Sequence, residues 1–272
     1  MAQSAVNPLK VVQITDTHLY GASTGKLLKM NTHESLSRVI DLILANETNG
    51  IDLILATGDI AQDASPEAYE KFLRMIEPLG ASCRWTPGNH DQIHVMEQIA
   101  GTSQLCDKSI RLDGWKILFL NTAVIGQVHG RLANEELEFL RQALADCDQD
   151  PTVDHSLLCM HHNPVQGNAG WMKDIGLHNA DAFWEIVEGS RSLNAVVYGH
   201  IHQELDYEYQ GVRCLCTPST CIQFKPDATS FTLDAINPGY RRLHLLADGT
   251  IDSQVFRLGG DTLEADFSSS GY

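Results

Sequence analysis

Residues Ile51–Asp59 read Ile-Asp-Leu-Ile-Leu-Ala-Thr-Gly-Asp, an apolar run that stops at a glycine and then presents a carboxylate. An apolar run between turn signals is typical of a parallel strand that is covered on both faces. Gly58 lets the backbone pass close to a bulky group. Asp59 follows at the carboxyl end of the strand, where open α/β sheets bind their ligands. We therefore interpret Asp59 as a ligand shared by two metal ions.

Strand-like and helix-like segments alternate through the first two thirds of the chain. Further strands are predicted over Lys10–Thr15, Cys83–Thr86, Trp115–Asn121, Asp154–Met160 and Leu193–Tyr198, with a loop over Leu19–Met30. Helices are predicted over Asn31–Asn46, from Ser65, over Gln92–Ala100, over Asn134–Cys147 and over Ala180–Val187. The first of these opens with a capping box, because Glu34 follows Asn31 by three residues.

The last third of the chain consists mostly of short or alternating strands. They are predicted as antiparallel strands and hairpins over Glu204–Tyr209, Val212–Cys216, Ser230–Ile236, Tyr240–Leu246 and Ile251–Leu258. The fold class is therefore mixed, α/β with α+β character: two packed mixed sheets flanked by helices, an αββα sandwich. We expect a single domain over residues 1–260 and a frayed polar tail over residues 261–272.

The composition excludes several classes of partner. The 272 residues include 19 Lys and Arg against 35 Asp and Glu, which gives a formal net charge of −16. Such a chain repels polyanions, so we expect neither nucleic acid nor a membrane surface as its partner. A small anionic substrate remains possible if bound metal supplies local positive charge.

The sequence favours a cytoplasmic protein. Residues Met1–Lys10 lack the apolar and cationic regions of a secretory signal, and no apolar run is long enough to span a bilayer. The seven cysteines are an odd number with scattered spacing, and Cys214-Leu215-Cys216 lacks the second pair of a structural zinc site. We expect reduced thiols in a reducing compartment. The oligomeric state stays open.

Residue types that ligate metals follow five of the predicted strands. They are Asp16 and His18, Asp59, Asn89 and His90, His161, and His200 and His202. Two ions about 3.5–4 Å apart need a bridging ligand, and a carboxylate serves best. Asp59 is the predicted bridge. Imidazole with carboxylate and amide oxygens suits manganese, iron or zinc and disfavours calcium or an all-sulfur site.

These five blocks resemble a known family. Asp-x-His, Gly-Asp, Gly-Asn-His-Asp, a His after a strand and Gly-His-x-His are similar in type and order to the calcineurin-like metallophosphoesterases, over about residues 10–258. Finer details resemble the class III 3′,5′-cyclic AMP phosphodiesterases of bacteria. These are Asp16-Thr17-His18-Leu19, the run Gly58–Asp63 (GDIAQD), Trp171-Met172 and the run Thr217–Pro226 (TPSTCIQFKP).

The resemblance implies two ligand sets and a role for each site residue. One ion would be held by Asp16, His18, Asp59 and His202, and the other by Asp59, Asn89, His161 and His200. Iron, manganese or both are the expected metals, with zinc as an alternative. The expected catalytic residues are Asp59, Asn89 and His90, and the expected substrate contacts are His18, Asp59, Asn89, His90 and His202.

The implied activity is hydrolysis of 3′,5′-cyclic AMP to 5′-AMP. A metal-bridging hydroxide would attack phosphorus, and His90 would protonate the departing 3′ oxygen. One alternative is a hydrolase of the same family that acts on other phosphodiesters or on phosphomonoesters. Another is a metal-free binding scaffold, which predicts missing ligands; none of the expected ligands is missing from this sequence.

Three positions carry further expectations. Many family members have an acidic residue three positions after the bridging carboxylate, but Gln62 stands there and the acid is Asp63. Either residue could orient His90. Trp171 and Met172 follow a glycine-containing stretch that comes after His161. This position favours two places equally: the base or sugar pocket, and the core.

Overall fold

Two mixed β-sheets packed face to face form the centre of the fold in a computed structural model of the chain, which describes residues 7–271. The described residues contain fifteen strands, namely β1 (Leu9–Ile14), β2 (Lys26–Leu27), β3 (Met30–Asn31), β4 (Leu53–Thr57), β5 (Ser82–Thr86), β6 (Ser109–Leu112), β7 (Trp115–Phe119), β8 (His155–Cys159), β9 (Leu193–Tyr198), β10 (Leu205–Tyr209), β11 (Val212–Cys216), β12 (Gln223–Phe224), β13 (Leu233–Asp234), β14 (Gly239–Leu245) and β15 (Ile251–Arg257). The helices are α1 (Thr32–Asn46), α2 (Pro66–Ile76), α3 (Ile93–Ala100), α4 (Asn134–Gln149) and α5 (Ala180–Val187), with short 3₁₀ turns at Glu77–Leu79 and Gly170–Met172.

Each sheet contains a group of parallel strands. The first sheet has the order β15-β14-β1-β4-β5, in which β1, β4 and β5 are parallel. The second has the order β10-β11-β9-β8-β7-β6, in which β7, β8, β9 and β11 are parallel. Because parallel strands end at the same edge of a sheet, each group collects its carboxyl ends in one place.

Alternating side chains of the strands divide the apolar core into layers. On β1, Val11 packs between the sheets against residues of the second sheet such as Leu157, whereas Val12 faces the helices. Helices α1, α2 and α3 cover the outer face of the first sheet, and α4 and α5 cover that of the second. The predicted αββα sandwich is confirmed. One bond of the predicted capping box of α1 is present: the Asn31 side chain accepts a hydrogen bond from Glu34 N at 3.0 Å.

The last third of the chain pairs differently from the prediction. Strands β10 and β11, and likewise β14 and β15, form the expected antiparallel pairs. However, β11 also lies parallel to β9, and β14 lies antiparallel to β1 in the other sheet. The segment therefore contributes to both sheets. A strand's partner is set by contacts distant in sequence, which a local pattern does not contain.

Several short strands also differ from the prediction. The expected strand over Ser230–Ile236 is only the two-residue β13, and the expected loop over Leu19–Met30 contains the hairpin of β2 and β3. Strand β6 was not predicted. Its residues are partly exposed and show no continuous apolar run, so they lack the signal by which the buried strands were predicted.

The two ends of the chain are described in part. Residues 1–6 of the segment without a predicted signal, and Tyr272, lie outside the described residues. In the predicted tail, Asp266 N donates to Leu28 O at 2.7 Å and the Asp266 carboxylate pairs with Lys29 at 3.2 Å. None of the helices within residues 7–271 combines the length and apolarity needed to cross a membrane. All seven cysteines lie within the described residues, and none of them forms a disulfide there.

Candidate metal centre

The carboxyl ends of β1, β4 and β5 from the first sheet meet those of β8 and β9 from the second. The structure brings together all the residues that were predicted at the five strand ends: Asp16, His18, Asp59, Asn89, His90, His161, His200 and His202. Asn89 and His90 are partly exposed, and the others are buried. The site is therefore a mostly buried cluster with one open side.

Backbone hydrogen bonds join the ends of β1 and β4. Asp16 N donates to Gly58 O at 3.0 Å, and His18 N donates to Asp59 O at 2.9 Å. These bonds hold the Asp-x-His segment beside the predicted bridging carboxylate. Two side chains that are distant in sequence thus acquire a fixed separation.

Two glycines allow site residues to pack directly against the backbone. A Cβ on Gly58 would lie 2.4 Å from His161 Nδ1, and one on Gly88 would lie 2.1 Å from Asp59 Oδ1. Both distances are far below van der Waals contact. The prediction that Gly58 passes close to a bulky group is confirmed, and the group is the imidazole of His161.

One group of ligand atoms surrounds the end of β1. Asp16 Oδ1 lies 3.2 Å from His202 Nε2, which in turn lies 3.2 Å from His18 Nε2. His18 Nε2 lies 3.9 Å from Asp59 Oδ2. Ligand atoms that bind one ion at about 2.0–2.2 Å lie about 3 Å apart. The spacing fits a single metal ion.

A second group lies on the other side of Asp59. His161 Nε2 lies 3.3 Å from Asp59 Oδ2 and 3.2 Å from Asn89 Oδ1. His200 Nδ1 lies 3.2 Å from the same His161 nitrogen. Asp59 borders both groups, which is the geometry that a bridging carboxylate requires.

In the first group, the hydrogen bonds of the two imidazoles show that Nδ1 of each ring carries a proton. His18 Nδ1 donates to Gln62 Oε1 at 2.6 Å, and His202 Nδ1 donates to the carbonyl oxygen of Ile222 at 2.8 Å. In a neutral imidazole whose Nδ1 carries the proton, Nε2 is an acceptor. In the neutral forms, the two Nε2 atoms would both be acceptors at 3.2 Å, an arrangement that a cation between them would stabilise.

The second group repeats this arrangement. His161 Nδ1 lies 2.8 Å from Thr57 O, and His200 Nε2 donates to Ile175 O at 2.9 Å. In the neutral forms, His161 Nε2 and His200 Nδ1 are then acceptors that face each other at 3.2 Å. The donor set of both groups, nitrogen and oxygen without sulfur, fits the metals predicted from the sequence.

Burial and charge set the protonation of the imidazoles. Burial lowers the pKa of His18 and that of His200 to about 3, so both rings are neutral. Burial also lowers the pKa of His161, but Asp59 and Asp16 outweigh it and raise that pKa to about 9. Without metal, His161 thus carries a proton beside the two carboxylates. A bound cation would replace that proton.

The two carboxylates are ionised. Burial raises the pKa of Asp16, but His202 and His161 lower it to about 2. Burial also raises the pKa of Asp59. His161 and His90 outweigh this effect and hold the pKa of Asp59 well below its usual range. Ionised carboxylates are the form that binds metal.

His90 lies at the open side of the cluster. Its backbone N donates to Asp59 Oδ1 at 2.9 Å, and its ring lies edge-on to His18 with 5.1 Å between ring centres. The ring is partly exposed, unlike the buried rings of the two ligand groups. A substrate that reaches the metal ligands from this side would meet His90.

His162 adjoins the cluster but is not available as a ligand. Its Nε2 donates to Val128 O at 3.1 Å, and its Nδ1 accepts from Thr122 Oγ1 at 2.7 Å. Both ring nitrogens are therefore engaged, although the ring lies 4.6 Å from that of His200. His162 supports the neighbouring histidines by packing.

The structure separates the roles of Gln62 and Asp63. Gln62 accepts from His18, as described above, and so orients a ligand of the first group. The Asp63 carboxylate accepts from Ser65 N at 3.1 Å and from Gly21 N at 3.0 Å, which places it in a turn outside the cluster.

Asp91 organises the site, although no role was predicted for it. Its buried carboxylate accepts hydrogen bonds from four donors: Gly88 N (2.9 Å), Ile60 N (3.2 Å), Ala61 N (3.0 Å) and Tyr69 Oη (3.0 Å). It thereby ties the loop that carries Asn89 and His90 to the segment after Asp59. The Gly-Asn-His-Asp block contained the residue, but backbone amides as partners leave no mark in a sequence.

Trp171 and Met172 lie in the 3₁₀ turn at Gly170–Met172, and three residues after this turn the carbonyl oxygen of Ile175 accepts from His200. Met172 is fully buried, and its sulfur accepts from Gln203 Nε2 at 3.8 Å. Trp171 is partly exposed and packs on Phe224. Of the two, Trp171 has the surface that a ligand could reach.

Comparison with known proteins finds a family model and relatives that match most of the chain. The sequence model of calcineurin-like phosphoesterases matches residues 9–204. The chain is 41% identical to the 3′,5′-cyclic adenosine monophosphate phosphodiesterase CpdA of Escherichia coli (strain K12), over 97% of this chain and 95% of the relative. It is 38% identical to the CpdA of Vibrio vulnificus (strain CMCP6), over 98% and 96% of the two chains.

A solved structure shares the fold. A dimetal phosphatase from Danio rerio superimposes with a TM-score of 0.65 over 92% of this chain and 99% of that chain, at 14% sequence identity. At so low an identity the likeness concerns the architecture alone. The two-sheet sandwich is thus found in an experimentally determined protein.

Proposed function

Because the chain belongs to the calcineurin-like phosphoesterase family, we propose that it is a dinuclear-metal phosphodiesterase that hydrolyses 3′,5′-cyclic AMP to 5′-AMP. The observation that carries the proposal is the arrangement of two ligand groups on either side of Asp59, each with two imidazole nitrogens 3.2 Å apart. The names of the relatives support cyclic AMP as the substrate.

We assign each ligand group to one metal ion. The first ion would be held by Asp16, His18, Asp59 and His202, and the second by Asp59, Asn89, His161 and His200. Iron, manganese or both suit these donors best, with zinc as an alternative. When bound, the two ions supply Lewis-acid activation of water and of the phosphoryl group.

The remaining chemistry belongs to side chains at the open side of the cluster. An oxygen derived from water adds to phosphorus, and the bond from phosphorus to O3′ breaks, which yields 5′-AMP. His90 would give its proton to the departing O3′, and Asn89 would stabilise the charge that develops on the phosphoryl oxygens. The phosphoryl group would also lie against His18, Asp59 and His202.

The rest of the chain is compatible with a small anionic substrate in a reducing compartment. The net charge of −16 argues against nucleic acid as a partner, whereas the metals would dominate the local field at the site. Seven unpaired cysteines support a cytoplasmic location.

The experiment is a product analysis of the metal-loaded protein with cyclic AMP, cyclic GMP, bis(p-nitrophenyl) phosphate and a phosphomonoester. We expect 5′-AMP from cyclic AMP. His90→Ala should retain its metals yet lose about 10²–10⁴-fold in kcat, the usual contribution of a proton donor. Hydrolysis of the artificial diester without hydrolysis of cyclic AMP would end the cyclic AMP assignment. Loss of metal from His90→Ala would contradict the role of His90.

A further inference from the structure

Three aromatic rings extend from the metal ligand His202. The ring of Phe224 stacks on that of His202, with 4.2 Å between centres and an interplanar angle of 9°. Trp171 lies 5.1 Å from Phe224 and 5.2 Å from Phe231, in both cases edge to face. We call Trp171, Phe224 and Phe231 the aromatic cluster. It begins in contact with the proposed metal centre and continues away from it.

The aromatic cluster has a buried base and an accessible outer part. Phe224 is 3% exposed, whereas Trp171 and Phe231 are partly exposed. Backbone bonds fix the outer part, since Gly170 N donates to Ala228 O at 2.9 Å beside Trp171. The two outer rings therefore form a positioned apolar surface rather than an incidental contact.

The indole of Trp171 has an unused donor. Among the described residues, Trp171 Nε1 is a buried side-chain donor that has no hydrogen-bond partner. A buried N–H without a partner is costly, so a site that keeps one favours a ligand that brings an acceptor. The ring nitrogens of a purine are acceptors of this kind.

We propose that the aromatic cluster is the subsite for the purine base of the substrate, with Trp171 and Phe231 as the stacking surface. The proposal rests on the function proposed above and adds the feature by which a cyclic nucleotide would be distinguished from a diester without a base. The phosphoryl group would lie on His202 and the other ligands, and the base would lie beyond Phe224. Stacking needs no charge and accepts either purine.

The test compares ligands with and without a base. In Trp171→Leu and Phe231→Leu, the KM for cyclic AMP and the inhibition constant of 5′-AMP should each rise about fivefold or more. The inhibition constant of inorganic phosphate, which has no base, should stay unchanged. Trp171→Phe, which keeps an aromatic ring but has no N–H donor, should have an affinity for 5′-AMP between that of the wild type and that of Trp171→Leu. Phe139→Leu is the matched control, because Phe139 is a partly exposed aromatic residue that packs under Lys108, away from the aromatic cluster.

A binding measurement gives an independent readout. Addition of 5′-AMP should quench tryptophan fluorescence in the wild type, and Trp171→Phe should abolish the quenching, because Trp85, Trp115 and Trp184 lie outside the aromatic cluster. Absence of quenching in the wild type would overturn the proposal, and so would an unchanged KM for cyclic AMP in both leucine variants. If those variants unfold, the fluorescence experiment decides. A wild type that cleaves bis(p-nitrophenyl) phosphate but not cyclic AMP would instead refute the proposed function.

Discussion

Five of the proposed metal ligands hold a left-handed backbone conformation, although none of them is glycine. Their φ angles are 54° for Asp16, 46° for His18, 48° for Asp59, 68° for His200 and 47° for His202. The left-handed conformation costs about 1–2 kcal/mol per residue. Such strain persists only where the surroundings hold it, as the bonds between the ends of β1 and β4 do here. The folded chain thus fixes the ligand directions.

Residue type made the candidate ligands recognisable in the sequence, whereas the partners that orient them were not. Imidazole and carboxylate at five strand ends are rare enough to indicate a metal site. Each candidate histidine ligand has one ring nitrogen that faces away from the metal site. The acceptor for that nitrogen can be any oxygen that the fold brings near. For His18 it is the side chain of Gln62, and for His202 it is the carbonyl of Ile222. No sequence pattern specifies a carbonyl.

Gln62 should control the affinity of one ion. Gln62→Leu removes the acceptor of His18 Nδ1, so the ring loses its fixed direction. The affinity of the first group should fall about 10–100-fold, the usual effect of losing such a partner. Gln62→Glu, which keeps an acceptor, should retain most of the affinity. Metal titration by calorimetry measures both variants.

The control for Gln62→Leu is Gln142→Leu. Gln142 is an exposed residue of α4, and its side chain donates a hydrogen bond to Asp146 on the same helix. The control should bind metal as the wild type does. Equal loss of both ions from Gln62→Leu would contradict the assignment of His18 to one group.

At the scale of elements, the loop after β5 depends on a single carboxylate. Asp91 bonds to its own loop through Gly88 N and to the segment after β4 through Ile60 N and Ala61 N. The residues that carry the chemistry lie on loops, while the strands below are rigid. Asp91 transfers that rigidity to Asn89 and His90.

Asp91→Asn should weaken both stability and activity. The amide turns a donor toward backbone N–H groups, and each buried group left without a partner costs about 1–3 kcal/mol. We expect a lower free energy of unfolding in urea and a kcat reduced about tenfold or more, because displaced catalytic groups lose rate steeply. Tyr69→Phe removes one donor only and should have the smaller effect. Wild-type kcat in Asp91→Asn would show that the loop is held by other contacts.

The elements themselves were predictable to the extent that they are local. The buried strand β4 and the helix α1 carry their signals in an apolar run and a capping box. The position of β14 beside β1 carries no local signal, because it joins residues as distant as Leu9 and Leu245. For the same reason the sequence predicted only antiparallel pairing for β11 and not its parallel pairing with β9.

At the scale of the whole molecule, the candidate metal centre joins the two sheets. Asp16, Asp59 and Asn89 follow strands of the first sheet, whereas His161 and His200 follow strands of the second. A buried side chain on β1 also connects the two sheets. Gln13 Nε2 on β1 donates to Thr57 Oγ1 at 2.8 Å and across the sheets to Tyr198 O at 3.2 Å. Removal of a shared ligand should therefore affect both sheets.

The number of metal ions bound per chain tests the central claim most directly. By elemental analysis we expect two ions in the wild type, about one in Asp16→Ala and almost none in Asp59→Ala, because only Asp59 borders both ligand groups. Asp63→Ala, whose carboxylate lies in a turn outside the cluster, should keep both ions. Circular dichroism on each variant verifies that it is folded. A folded Asp59→Ala that retains a full equivalent of metal would contradict the shared carboxylate.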